Sequence, residues 1–466
     1  MNKRNDMLSN EKISSLLFKL SLPATVGMIV NALYNIVDGI FIGQFVDTDG
    51  LGLGLAGVTV AMPIQLIVMA FSLLIGIGSA SAVSRALGAK NADKANHVAG
   101  NALLSIVIIS FCLCLIGFLF TNPLLKAFGA TPNNYQYAWD YIRVIFIGTI
   151  YFPFVMAANN LIRAEGNAKV SMMIMVIGTG LNLILDPLFI GVFGLGVAGA
   201  AIATIISQFA SFVYIIVYFA QGKSTLTIKL HHFKPDFSLL WEIISVGFSS
   251  FARNIAGSIV AIVLNNSLKV YGGDAALTVY GIINRVIMFL FMPLFGVVQG
   301  MQPIAGFNYG AKQYKRVKEV LKLSMITTTV LATAGTIVGM LIPQLIIKLF
   351  KNSDIIINDG TVALRIILIA IPIIGIQIVG ATLFQSLGKA VPSLILSLLR
   401  QVIILIPLII ILPPLFEDKL LAIWIAFPIS DAISTLITIF LIRLQLKSLS
   451  KEESEHEELQ VISQTT

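Results

Sequence analysis

Charged residues are scarce in this chain. Asp, Glu, Lys and Arg make up only 12% of its 466 residues, whereas hydrophobic residues make up 57%. Soluble globular domains carry about a quarter charged residues, so a soluble protein is excluded. The net charge of +8 does not indicate nucleic-acid binding, because the lysines and arginines fall in short clusters between apolar runs. The composition predicts a polytopic membrane protein.

Cysteine is almost absent. Cys112 and Cys114 are the only two, and neither has a histidine or an acid at metal-ligand spacing. We therefore expect reduced packing residues and no disulfide framework. The adjacent His231 and His232 also lack further ligands nearby in the sequence, so we interpret them as part of a solvated loop. No metal and no other cofactor is expected.

Motifs for enzyme chemistry are lacking as well. The chain has no H-E-x-x-H, no Walker lysine loop and no G-x-G-x-x-G after a strand. An enzyme is therefore not expected, and neither is ATP-driven transport. The first apolar run is too long for a signal peptide and lacks a cleavage site of small residues, so we expect it to be retained.

Long apolar runs are what the chain has in abundance. Windows of roughly twenty residues predict twelve transmembrane helices, centred near residues 30, 68, 110, 149, 181, 208, 254, 291, 334, 370, 402 and 432. Because twelve is even, both termini lie on one side of the membrane. Most loop lysines and arginines fall on that side, so the positive-inside rule predicts that both termini are cytoplasmic. The other side receives Lys126, Lys269, Lys348, Lys351 and Lys419.

The two halves of the chain repeat each other at an offset of 222 residues. The identities include Gly78 with Gly300, Gly88-Ala89-Lys90 with Gly310-Ala311-Lys312, Arg143 with Arg365, and Gly166 with Gly388. Each half holds six spans, an even number, so both halves enter the membrane in the same orientation. The fold class predicted is an all-α membrane protein, with two six-helix bundles related by a parallel pseudo-two-fold repeat. Its predicted parts are an amino-terminal lobe (1–220), a cytoplasmic linker (221–237), a carboxy-terminal lobe (238–446) and a solvated or disordered polar tail (447–466).

An acid lies inside the fifth span, in the stretch Asn182-Leu-Ile-Leu-Asp186-Pro187. A charged side chain at the centre of a membrane helix costs about 2.5–3.5 kcal/mol on insertion scales, so it usually faces an interior cavity and serves function. Asn182 and Asp186 are four residues apart and share one helical face. Pro187 cannot donate to the carbonyl of Leu183, which leaves an acceptor near the carboxylate. The stretch predicts a site for a proton or a small cation.

A second acid, Asp38, lies late in the first span with Tyr34 one turn before it. The first and fifth spans both run outward, so Asp38 and Asp186 should reach similar depths. At the 222-residue offset these acids align with Val260 and Leu408, so the predicted ion chemistry belongs to the amino-terminal half alone.

Pairing with membrane arginines is the alternative for these acids. Arg143 is the nearest candidate in the amino-terminal half. In the carboxy-terminal half, Arg253 and Asp431 fall near the same depth, and we interpret them as a structural ion pair.

Methionine, aromatic and amide side chains mark the second and eighth spans, which correspond in the repeat. They are Met69, Phe71, Met288, Phe289, Phe291, Met292, Gln299 and Gln302. Such side chains form adaptable walls for flat apolar cations. Ordinary packing, lipid contact and hydrogen bonds between helices remain alternatives for each of them.

Several motifs together resemble one known family. They are Pro23, Tyr34-Asn35-Ile36-Val37-Asp38, Gly88-Ala89-Lys90, Arg163-Ala164-Glu165-Gly166, Asn182 to Pro187, and Gly306-Phe307-Asn308-Tyr309-Gly310-Ala311. From about Ile13 to Leu446 the chain resembles the multidrug and toxic compound extrusion (MATE) transporters, most of all the bacterial branch with MepA-like and DinF-like members. The resemblance implies cation coupling by Asp38, Tyr34, Asn182 and Asp186, and by the less closely matched Tyr141, Asn159 and Thr204. An acid that another branch carries on the seventh span is not evident.

The function expected is secondary antiport in a bacterial plasma membrane, exporting cationic amphiphilic drugs or metabolites in exchange for protons or sodium ions. The expected partners are these small molecules and membrane lipids, with no nucleic acid, and the protein is expected to be a monomer. One alternative is a flippase for lipid-linked saccharides, although a pyrophosphate would favour a cationic cavity. Another is an intramembrane aspartyl hydrolase that uses Asp38 and Asp186 as an acid pair.

Overall fold

The computed structural model describes residues 3–46, 53–351 and 353–465. The side chains of residues 34–40, 42–45 and 459–465 lie outside this description. Within the described ranges the chain is helical and contains no strand. This agrees with the predicted all-α class.

The helices follow the apolar runs. Those of the first half are α1 (Lys3–Asn10), α2 (Ile13–Phe45), α3 (Leu53–Gly88), α4 (Ala92–Leu119), α5 (Thr121–Ala127), α6 (Tyr135–Gly148), α7 (Phe152–Ala164), α8 (Ala168–Asp186) and α9 (Gly196–Ala220). Those of the second half are α10 (Phe237–Gly310), α11 (Tyr314–Leu341), α12 (Pro343–Phe350), α13 (Asp354–Leu368), α14 (Ile371–Ser386), α15 (Ala390–Leu398), α16 (Ile406–Ile411) and α17 (Lys419–Thr465). Short segments complete the chain: the π-helical Pro187–Val192 and Leu399–Leu405, and the 3₁₀ turns Leu230–Phe233 and Pro413–Leu415.

The predicted count of twelve spans is confirmed. Nine described helices are long and apolar enough to cross a membrane. Two further spans are broken pairs, α6 with α7, bent by 48°, and α13 with α14, bent by 49°. Helix α10 runs for 74 residues but is interrupted by the non-helical Gly273 (φ 62°, ψ −156°), so it crosses twice. The resulting twelve crossings match the twelve predicted windows.

The repeat is visible in the backbone of corresponding loops. Lys90 and Lys312, which are 222 residues apart, have φ angles of 57° and 59°. A side chain with a Cβ rarely adopts this left-handed conformation. Gly166 and Gly388, also 222 residues apart, have φ angles of 83° and 75°. The two halves therefore end corresponding spans with the same left-handed turns.

Close helix contacts repeat at the same offset. A Cβ on Gly78 would lie 1.9 Å from the carbonyl oxygen of Ile243. A Cβ on Gly300 would lie 2.3 Å from Oγ of Ser21. Since Gly300 is Gly78 shifted by 222 and Ser21 is Ile243 shifted back by 222, these are equivalent contacts. In both places glycine lets two helices approach with backbone against backbone.

These contacts account for the two compact units that the chain forms. One unit comprises Met1–Met7 and Val26–Phe251, and the other Leu8–Thr25 and Ala252–Thr466. The first turns of α10 pack on α3 in the first unit, and the first turns of α2 pack on the end of α10 in the second. Both boundaries thus lie within helices. The lobes predicted at 1–220 and 238–446 remain a prediction about the membrane bundles.

The polar tail is helical, because α17 continues through it to Thr465. Its acids face lysines of α11. Nζ of Lys318 lies 2.7 Å from Glu453, and Nζ of Lys315 lies 3.0 Å from Glu457. Solvent-accessible pairs of this kind contribute only about 0–1 kcal/mol each. They hold the tail against α11 without burying it.

A fully buried acid, Glu165, holds the linker on the first unit. Its Oε2 accepts hydrogen bonds from Oγ of Ser224 at 2.8 Å and from the backbone N of Thr225 at 2.5 Å. Its Oε1 accepts from Nη1 of Arg4 at 3.2 Å and from the hydroxyl of Tyr218 at 2.5 Å. One carboxylate thereby joins α1, α9 and the linker to the end of α7. The sequence motif contained this residue but gave no sign of its partners.

We expect Gly247→Ala to destabilise the protein, because its Cβ would lie 1.7 Å from the carbonyl oxygen of Leu74. The two helices must separate, and overpacking of this kind costs about 1–3 kcal/mol. The matched control is Gly257→Ala on the same helix, where nothing lies within 4 Å of the added Cβ. Thermal unfolding in detergent should show a lower midpoint for Gly247→Ala only. Equal midpoints for both variants would contradict the contact.

We also expect Glu165→Gln to loosen the linker. The amide removes the negative charge beside Arg4 and directs an N–H donor at groups that already donate. Hydrogen bonds to a charged group contribute about 1.5–3 kcal/mol each, so the midpoint should fall clearly and trypsin should cleave after Lys223 faster. Glu455→Gln, which removes an exposed pair with Lys451, serves as the control. Unchanged cleavage in Glu165→Gln would show that the linker is held by other contacts.

Candidate cation site

The predicted acid of the fifth span, Asp186, is completely buried as the last residue of α8. Nδ2 of Asn182 donates a hydrogen bond to its Oδ1 at 3.2 Å. The same Nδ2 lies 3.5 Å from Oγ1 of Thr204 on α9. The structure therefore brings together three of the predicted residues, each of which carries an oxygen.

Local sequence explains why the carboxylate lies at a change of helix type. Pro187 ends α8, and the chain continues as the π-helical segment, in which the backbone N of Phe193 donates to the carbonyl of Leu188. Single π turns are frequent at functional sites. Gly199 lets α9 approach this segment, since a Cβ there would lie 2.8 Å from the carbonyl of Phe189. The backbone of α9 is thus held next to the end of α8.

The site offers oxygen acceptors in a water-poor setting. Oδ1 of Asn182 is buried and accepts no hydrogen bond from any described residue. The hydroxyl of Thr204 donates to the carbonyl of Ala200 at 2.9 Å, and its oxygen faces Nδ2 of Asn182. Burying a carboxylate in its charged form is costly unless a proton or a cation compensates the charge. Carboxylate, amide and hydroxyl oxygens are suitable ligands for a hard cation.

Arg143 forms no ion pair with Asp186 in the described structure, and the Asp38 side chain lies outside the described residues. Its guanidinium carbon lies 4.4 Å from the ring centroid of Trp139 and 5.7 Å from that of Phe118. Among the described residues it takes part in no ion pair. Aromatic faces therefore hold this cation within the first unit.

Tyr141 lies in the apolar cluster beside the site. It is 4% exposed and packs in the same cluster as Ile190, of the π-helical segment, and Ala200, the acceptor of Thr204. Its hydroxyl accepts a hydrogen bond from Nε2 of Gln65 at 3.1 Å. Sequence reasoning missed Gln65, although an amide within the apolar run of the second span was a usable signal.

Asn159 is not brought to the acid. Its Oδ1 accepts a hydrogen bond from Oγ of Ser171, and its Nδ2 donates to the Ser171 carbonyl at 3.3 Å. Ser171 lies near the start of α8 and Asp186 at its end, so they are roughly 22 Å apart at 1.5 Å per residue. Tyr34 and Asp38 lie on α2, but their side chains are outside the described residues. Their assignment to the site stays a prediction.

The predicted pair of Arg253 with Asp431 is wrong, because Asp431 pairs with Arg400. Nε of Arg400 contacts Oδ1 of Asp431, which is 1% exposed. Oγ of Ser430 donates to the carbonyl of Arg400 at 2.7 Å, and Nε2 of Gln377 donates to the carbonyl of Asp431 at 2.8 Å. Matched depth in the membrane identifies the cations that could reach the acid. It does not show the direction in which each helix turns its side chains.

The residues predicted to line a substrate cavity belong to different units. Met69 and Phe71 lie in the first unit, where the ring of Phe71 meets that of Phe251 edge-on at 5.0 Å. In the second unit Met288 is 56% exposed and Phe289 is 50% exposed. The remaining members, Met292, Gln299 and Gln302, are buried or half-buried. Their role in binding stays a prediction.

Known proteins with similar sequences identify the family of this chain. The sequence profile of the MatE family matches residues 23–188 and 248–411, one segment in each half of the repeat. The multidrug export protein MepA of Staphylococcus haemolyticus is 27% identical over 396 residues, which cover 85% of this chain and 86% of that protein. MepA of Staphylococcus aureus (strain MRSA252) is 26% identical over 435 residues, which cover 93% of this chain and 94% of that protein.

Solved structures agree along almost the whole chain. An outward-facing multidrug resistance MATE family transporter of the MOP superfamily superposes with a TM-score of 0.91 at 26% identity, covering 97% of this chain and 99% of that one. A MATE protein crystallised with MaD3S gives the same score and identity, covering 97% of this chain and 100% of that one. The solved MATE structures have twelve helices in two repeats, and the family profile matches one segment in each half of this chain. The chain therefore belongs to the MatE family of membrane transporters, among its MepA-like members.

Proposed function

We propose that this protein is a secondary antiporter of the plasma membrane. It exports cationic amphiphilic compounds in exchange for protons or sodium ions and acts as a monomer. The similarity to multidrug export proteins over most of the chain supports drug export. The observation that carries the ion-coupled mechanism is the complete burial of Asp186 beside the oxygens of Asn182 and Thr204.

Ion binding at this site changes the charge of the first unit. With a proton or a sodium ion bound, the carboxylate region is close to neutral, and without one it carries a buried negative charge. A change of one charge in a poorly hydrated interior shifts the balance between two conformations, because each conformation hydrates the site differently. By linkage, an ion that favours drug release must itself be bound less tightly when drug is bound.

Asp38 is proposed as the partner of Asp186. Two nearby carboxylates in a poorly hydrated pocket cannot both remain ionised cheaply, so they titrate as a pair. A pair of this kind binds one proton or one cation more tightly than either acid would alone. Tyr34 would then contribute a hydroxyl to the same ion. The two acids are therefore expected to act as a unit.

We expect Asp186→Asn to abolish uphill export while the folded protein still binds drug. The test uses proteoliposomes with an imposed proton gradient or sodium gradient and follows a fluorescent lipophilic cation. Asp140→Asn is the control, because Asp140 is an acid of the same unit whose described partner is Gln136 near the surface. The double variant Asp38→Asn, Asp186→Asn should be scarcely worse than either single variant.

The gradient that drives accumulation identifies the coupling ion. Wild-type rates in Asp186→Asn would make the acid structural and overturn the mechanism. Drug movement with neither gradient would contradict antiport. Turnover of a lipid or a peptide in gradient-free detergent would favour the intramembrane hydrolase instead.

We further propose that both termini and the linker face the cytoplasm, because positive loop residues concentrate on that side. In a background with Cys112→Ser and Cys114→Ser, a membrane-impermeant thiol reagent should label Asn133→Cys from outside and spare Leu230→Cys. Leu230 is 91% exposed, so permeabilised cells should label it fully. Labelling of Leu230→Cys in intact cells would reverse the topology.

A further inference from the structure

Three histidines meet where the linker lies on α4. His97 is in the second turn of α4, and His231 and His232 are in the 3₁₀ turn of the linker. One ring nitrogen from each lies within 4.8 Å of those of the other two. The ring centroid of His232 lies 3.9 Å from that of His231 and 4.6 Å from that of His97. The ligand that the sequence interpretation found missing is thus supplied by a distant helix.

The backbone of the linker turn is fixed on α4. Nδ2 of Asn101 donates to the carbonyls of His232 at 3.3 Å and Lys234 at 3.1 Å, and its Oδ1 accepts from the backbone N of Asp236 at 2.8 Å. A Cβ on Gly100 would lie 2.4 Å from the carbonyl oxygen of His232. The imidazoles are therefore held together by the fold, as a preorganised ligand set requires.

A carboxylate completes the set. Asp93 lies one turn before His97, and its side chain is 77% exposed. Its Oδ2 is 3.4 Å from Nδ1 of His97, and its Oδ1 is 3.7 Å from Nε2 of His232. Because Asp93 is exposed, its side chain can turn toward an ion between the rings without disturbing buried packing. Three imidazoles and one carboxylate make up a common four-coordinate ligand set.

Hydrogen bonds set which ring nitrogens are available. Nδ1 of His97 lies 3.1 Å from the carbonyl of Asp93, so as a donor it leaves the lone pair on Nε2 for a metal. Nδ1 of His232 accepts from the backbone N of Lys229 at 2.9 Å. Ligation through Nε2 of His232 requires the proton to move to Nδ1 and this single hydrogen bond to be given up. The free energy lost with one net hydrogen bond is small compared with the free energy of metal ligation by several imidazoles.

We propose that His97, His231, His232 and Asp93 bind a divalent transition-metal ion of the zinc class. Imidazole ligands suit zinc, cobalt, nickel and copper, whereas magnesium and calcium prefer sets made only of oxygen. A roughly tetrahedral site needs ligand atoms about 3.3 Å apart. Because His231 is exposed, rotation of its side chain can bring its ring nitrogen closer to those of His97 and His232.

A bound ion would join two segments that are far apart in sequence. The linker turn would be tied to α4 by coordination bonds in addition to the hydrogen bonds of Asn101. The site lies apart from Asp186, since α4 and the linker contribute no side chain to that group. Metal binding and ion-coupled transport can therefore be tested separately.

The test uses the full-length protein in detergent, purified with a tag free of histidine. Cobalt(II) serves as a spectroscopic probe, because tetrahedral cobalt gives intense visible absorption, and equilibrium dialysis with zinc gives stoichiometry and affinity. We expect one equivalent per chain. Asp93→Asn should weaken zinc binding about 10- to 100-fold, and His97→Gln or the double variant His231→Gln, His232→Gln should weaken it more and remove the tetrahedral absorption.

The matched control is His456→Gln, which removes the fourth histidine of the chain, in the carboxy-terminal tail. The pair Cys112→Ser, Cys114→Ser controls for thiol ligands. Both controls should bind zinc as the wild type does. Hydrogen exchange of the amides of residues 229–234 should slow with zinc in the wild type but not in His97→Gln. Zinc affinity that survives His97→Gln within about twofold, or is lost with either control, would overturn the site.

Discussion

A carboxylate enclosed by apolar helices must have its charge compensated, and the arrangement around Asp186 follows from that constraint. The described donor to its Oδ1 is the neutral amide of Asn182, which lies one helical turn away. An amide can donate to an ionised carboxylate and, more weakly, to the carbonyl of a protonated one, so both charge states keep this partner. The proline, the π-helical segment and Gly199 then serve to hold α9 beside this acid.

The second unit meets the same constraint in a different way. Asp431 is also buried, but it contacts the guanidinium of Arg400. The guanidinium already compensates the charge of this acid, so no further cation is needed there. The 222-residue repeat therefore preserves turns and helix contacts in both halves, whereas each half carries its own polar chemistry. The asymmetry is what makes the first unit the better candidate for ion coupling.

Contacts between residues close in sequence could be predicted from the sequence, whereas contacts between distant helices could not. The twelve spans followed from apolar run length, and the contact of Asn182 with Asp186 followed from helical spacing. The pair of Arg400 with Asp431 required the direction in which each helix turns its side chains, which depth alone cannot supply. His97 and His231 are separated by most of the first unit in sequence, so only the folded linker brings them together.

The linker belongs with the first unit by every contact that holds it. Glu165 binds Ser224 and Thr225, Asn96 pairs with Thr227 through both of its amide atoms, and Asn101 binds the turn that follows. A flexible tether would have left these polar groups to solvent. Because the first turns of α10 also pack on α3, the passage from one unit to the other occurs within a continuous helix. A metal ion on the linker would stiffen the attachment that precedes this helix.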